Sequence, residues 1–178
     1  SGVDAREVAR GMEAARNVVA FEAMMRGTST PSPSEEGGRR EHVDAALRAM
    51  RLGRNEPDVQ VAGAGLVANL AFGRPDARAA AVEKGAFARL MEAGQAHRYN
   101  VTVVAAVWGA MWSLVGGGAQ GEGSGDVAVY EAFVKVDGAR AALRSMEGVE
   151  GDETISPDAA RTVSRAAFGT LRAVALLS

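Results

Sequence analysis

The sequence predicts an all-α chain built from stacked helical repeats, and three observations carry that prediction. Four stretches, 9–21, 61–73, 105–117 and 165–177, place apolar and small residues at i, i+3 and i+4, the spacing of one helix face. Alanine makes up about a fifth of the chain, well above ordinary usage, and it is the best helix former. Aromatic residues are 5% of the sequence, too few for a core of aromatic and β-branched strands.

The four stretches align on one another. Glu13, Gly65, Gly109 and Gly169 share a column, and four residues later come Asn17, Asn69, Ser113 and Ala173. A second set of helices lies between them, at 42–50, 85–93 and 138–146, with Leu47, Leu90 and Leu143 aligned. The basic period is about 44 residues, within the range of roughly 40–47 of two- and three-helix repeats. Residues 27–41 (GTSTPSPSEEGGRRE) and 116–125 (GGGAQGEGSG) lengthen two junctions at the same point of the repeat, and 147–156 lengthens the last one. Such Pro, Ser and Gly clusters read as loops, with Arg39-Arg40 and Glu35-Glu36 on a solvated surface. Helix starts are expected at Pro57-Asp58, Pro75-Asp76 and Pro157-Asp158, where proline presets φ and the acid favours the positive helix end. Asn100 is expected to cap a helix beginning at Val101.

Residues 56–94, EPDVQVAGAGLVANLAFGRPDARAAAVEKGAFARLMEAG, resemble one armadillo repeat and the start of the next. The matching features are the Pro-Asp-Val-Gln opening, the Asn69-Leu70-Ala71 close, the Pro75-Asp76 and Arg78 turn, and Val82 to Ala86 before an apolar helix. The resemblance implies a single right-handed α-solenoid. Residues 1–26 would be the final helix of a repeat, and 42–73, 74–115 and 126–178 three further repeats. It also implies that the third helices (4–26, 57–72, 100–115 and 157–177) line a concave groove holding an extended or helical segment of another protein. The residues expected there are Arg10, Glu13, Arg16, Asn17, Asn69, Trp112, Ser113, Arg165 and Arg172. Asn17 and Asn69 match positions at which groove asparagines of armadillo nuclear-import receptors hold a peptide backbone, but Ser113 and Ala173 interrupt that ladder. Glu13, Gly65, Gly109 and Gly169 stand where those receptors carry tryptophan, so binding of basic import peptides is the lesser reading. The apolar end of the last helix, Ala173 to Leu177, suggests a piece of a longer array or a covered end, and hence a purely structural role as the alternative.

Other functions find little support. The net charge of −2 offers no basic footprint for nucleic acid. There is no cysteine, hence no disulfide, thiolate nucleophile or cysteine-held metal, which fits an intracellular, cytoplasmic or nuclear setting. No apolar run approaches the ~18 residues of a membrane span. His42 and His97 have no partner at metal-ligand spacing, and no nucleophile–base arrangement is visible. No enzymatic activity, cofactor, metal or small-molecule substrate is therefore expected. Val61 to Ala68 fits the dinucleotide fingerprint G-x-G-x-x-A, with Glu83 downstream, yet 74–85 reads as helix where that fold needs a strand. The glycine loop 116–125 lacks the Lys-Ser/Thr ending of a phosphate loop. Trp108 aligns with Ala64 and Phe168 as core. Trp112 aligns with Arg16, Ala68 and Arg172, either bordering the groove or packed under a loop.

Overall fold

The structure, a computed structural model, describes residues 4, 6–13, 33–72, 74–116 and 127–176, with the side chains of α2 described from residue 40 onward. The described residues are all helical, without a strand. Helix α1 covers residues 6–13. It is followed by α2 (Pro33–Leu52), α3 (Pro57–Ala71), α4 (Pro75–Glu83), α5 (Ala86–Ala96), α6 (Val101–Leu114), α7 (Val127–Lys135), α8 (Gly138–Glu150) and α9 (Pro157–Ala175).

Local chemistry sets the helix starts. Proline opens α3, α4 and α9, with Asp58, Asp76 and Asp158 in their first turns. The Asn100 side-chain oxygen accepts from the backbone N–H groups of Thr102 and Val103, at 3.2 Å each, so two otherwise orphaned donors are satisfied at the start of α6. Ser156 caps α9 by accepting from the Ala159 N–H at 3.3 Å. The two short helices α4 and α7 each turn into the next helix through a left-handed residue, Gly85 (φ 77°) and Asp137 (φ 53°).

Two expected loops are corrected: residues 147–150 continue α8, and residues 33–41 are helical and form the first half of α2. Pro33 at the start, followed by Ser34-Glu35-Glu36, is the same opening chemistry as at Pro57 and Pro75. Together with the good helix formers after it, this outweighs the roughly 1 kcal/mol that each of Gly37 and Gly38 costs. Residues 27–32 and 117–125 lie outside the described residues.

Helix α6 packs between α3 and α9, α2 packs on α3, α4 and α5, and α4 meets α7. The sequence columns reappear as burial. Val59, Gly63, Leu66 and Leu70 of α3 are buried, as are their counterparts Val103, Val107, Ala110 and Leu114 in α6. In α9 the counterparts Val163, Ala167, Thr170 and Val174 are buried too. This stripe faces backward along the chain, because a Cβ on Gly63 would lie 2.3 Å from Met50 Cγ of α2 and 3.0 Å from Met12 Cε of α1. A second stripe, Gln60, Ala64, Val67 and Ala71, recurs in α6 as Val104, Trp108, Met111 and Val115, all buried.

In α9 the second stripe is incompletely covered. Phe168, expected in the core, is 63% exposed, because no described helix follows α9 as α6 follows α3. Leu143, aligned with the buried Leu47 and Leu90, is 51% exposed for a different reason. The left-handed residue precedes α8 at Asp137, one position earlier than Gly85 in the sequence alignment. That offset rotates α8 by one residue, so the fully buried Ala142 takes the place of Leu90.

The α2–α3 junction is tied by Gln60, 1% exposed. Its side-chain amide donates to the carbonyls of Met50 (3.0 Å) and Gly53 (2.7 Å). Between the short-helix layer and the core, Phe87 and Phe133 meet edge to face, with centroids 5.9 Å apart.

Candidate functional site

Stacking α3, α6 and α9 side by side leaves a third stripe on each helix turned away from the core. Its middle column is Gly65, Gly109 and Gly169, all half-buried, and the next is Ala68, Trp112 and Arg172. Small residues here keep the helix backbones near the surface, where a partner's main chain can approach closely. Between α1 and α3 the face hollows into a concavity of about 560 Å³, in which Arg10 and Glu13 meet Asp58 and Thr102. Arg10 is exposed, and its Nε donates to the Arg6 carbonyl at 3.3 Å. Glu13 is exposed as well and has an interaction of its own.

Trp112 is the large apolar side chain on this face, 37% exposed. It is seated against α9: a Cβ added at Gly169 would lie 3.2 Å from its Nε1. The absence of a side chain at Gly169 is therefore what makes room for the indole. More than a third of it stays open to solvent. Trp108, one turn earlier, is 2% exposed and belongs to the core. Arg165 and Arg172 are exposed on α9, on the far side of Trp112 from α3.

The asparagine column lies deeper than a peptide ladder would require. Ser113 is 8% exposed, and its hydroxyl donates to the Gly109 carbonyl at 3.2 Å, so its hydrogen-bonding capacity is directed into its own helix. Asn69 is half-buried and engaged in an interaction, and Ala173 is half-buried. Arg16 and Asn17 lie outside the described residues. The structure thus brings Arg10 and Glu13 to one concavity and sets Trp112 close to Gly169, while Ser113 is withdrawn from the face. Phe72, at the C-cap of α3 and 51% exposed, was not expected here. It stands one helical turn beyond Ala68, a spacing that could have placed it.

The remaining sequence motifs resolve into structural parts. Gly63 and Gly65 lie inside α3, so the dinucleotide-like spacing opens no helix N-terminus toward a phosphate. His97 follows α5, and its Nε2 lies 2.9 Å from the Arg54 carbonyl, pinning the α2–α3 turn. Arg40 and His42 are exposed on α2. Among the described residues no helix is long and apolar enough to cross a membrane.

Comparison of the chain with protein-family models, with curated proteins and with solved structures found no match.

Proposed function

We propose that the chain is an α-solenoid of armadillo-like repeats that acts as a non-catalytic scaffold, holding a segment of another protein along the face of α3, α6 and α9. The observation that carries this reading is Trp112, an indole seated close to Gly169 yet 37% exposed, on a face whose middle column is glycine. Rigid, partly exposed tryptophan and arginine side chains supply most of the energy at protein interfaces, and an indole already held in place loses little entropy on binding. The burial of corresponding stripes in α3 and α6 supports the repeat reading. The depth of the Asn69 and Ser113 column weighs against a basic-peptide import receptor.

Replacing Trp112 by Ala tests this. Partner affinity should fall at least about tenfold, the range of an interface hot spot, while stability falls by only about 1–3 kcal/mol because part of the ring is already solvated. Stability and binding lost in proportion would instead assign Trp112 to the core.

A second reading, a purely structural segment stacked within a larger repeat array, is favoured by the incompletely covered second stripe of α9, where Phe168 is 63% exposed. Under this reading Phe168→Ser would reduce self-association in light scattering without lowering the melting temperature.

A further inference from the structure

A cavity of about 510 Å³ opens between α5, α6 and α8. It follows from the spacing of the helices. Helix α2 packs on α5 directly, whereas α5 and α8 barely meet, and glycines line the gap between them. A Cβ at Gly148 would meet nothing within 4 Å, and one at Gly94 only Val107 Cγ1, at 3.5 Å. At the preceding junction the position equivalent to Val104 is Gln60, whose amide closes onto the α2–α3 turn. Val104 has no such reach.

The cavity lining includes the apolar residues Val104, Trp108, Val149 and Ile155 and, exposed at its mouth, Arg98 and Arg144. Neither takes part in the ion pairs among the described residues. Arg98 lies over the Tyr99 ring, 4.4 Å from its centroid, a contact that orients the charge without neutralising it. Asp152 is the third charged group at the mouth. Its Oδ1 already accepts from the Thr154 hydroxyl (2.6 Å) and N–H (2.9 Å). Those bonds hold its carboxyl below the usual carboxylate range. One positive charge is left in excess. The volume falls within the size range of small-molecule sites, which pair an apolar lining with a few placed polar groups.

We propose that this cavity binds an amphipathic monocarboxylate, with its apolar tail on Trp108 and Val149 and its carboxylate on Arg98 and Arg144. The site is separate from the α3–α6–α9 face, and the proposal does not depend on the function assigned to that face.

Isothermal titration calorimetry of the whole chain with decanoate, kept below its micelle concentration, tests the proposal, with decanol and decyltrimethylammonium as comparators. Decanoate should bind saturably and at least about tenfold more tightly than either comparator. The Arg98→Gln/Arg144→Gln variant should lose about tenfold for decanoate and little for decanol. Gly148→Leu, which directs a side chain into the open space while improving helix propensity, should abolish binding without lowering the melting temperature. Absence of saturable binding, equal affinity for the three amphiphiles, tighter binding of the cation, or unchanged binding to a folded Gly148→Leu chain would overturn the proposal.

Discussion

Gln60 shows how much a single side chain can carry in this fold. Its amide satisfies two carbonyls at the end of α2 from a buried position. Gln60→Leu keeps the volume but leaves those carbonyls without that donor, and it is expected to cost about 2–3 kcal/mol in chemical denaturation. The glycines divide by environment. Gly63→Ala drives a methyl group into Met50 and Met12 and should destabilise by about 1–3 kcal/mol, the usual cost of overpacking. Gly109→Ala meets nothing within 4 Å and should stabilise by about 0.5–1 kcal/mol through helix propensity, while raising the floor of the proposed binding face and weakening partner affinity. The sequence places Gly63 and Gly109 alike inside helical stretches. It could not separate Gly63 from Gly109, because that difference depends on Met12 and Met50 arriving from distant helices.

Among the elements, the turns into α5 and α8 offer a matched pair of tests. Both require a left-handed residue, supplied by Gly85 in one and Asp137 in the other. An L side chain there is strained by about 1 kcal/mol. Asp137→Gly should therefore raise the midpoint of thermal unfolding, and Gly85→Ala should lower it. The substitution at Asp137 also removes an exposed pair with Arg140, at 3.5 Å, which is worth little in solvent. Proline-led starts and the Asn100 cap were legible because their chemistry is local. The first half of α2 was obscured by Gly37-Gly38 and the Pro/Ser-rich stretch before it, although Pro33 and Glu35-Glu36 announce a helix start. The exposure of Leu143 was not legible either. A one-residue shift in where the left-handed turn falls rotates the whole of α8, and neither leucine periodicity nor repeat length records it.

For the molecule as a whole, the 44-residue recurrence corresponds to matching buried stripes on α3 and α6, and the backward-facing stripe continues in α9. The sequence could align Phe168 with Ala64 and Trp108, but alignment says nothing of whether a neighbour is present to cover it. The proposed binding face was only partly legible. Arg165 and Arg172 are exposed, and so is Trp112, for which the sequence left a groove and a covered position open. Ser113 turns into its own helix, a choice set by side-chain rotation and not by column. The most direct test of partner binding on the α3–α6–α9 face is site-specific photocrosslinking, with the crosslinker placed either at Arg165 on the face or at Glu131, exposed on α7. A crosslinked partner is expected from position 165, competed away by excess native chain and not by excess Trp112→Ala chain. Equal crosslinking from position 131, or equal competition by the two chains, would contradict this expectation.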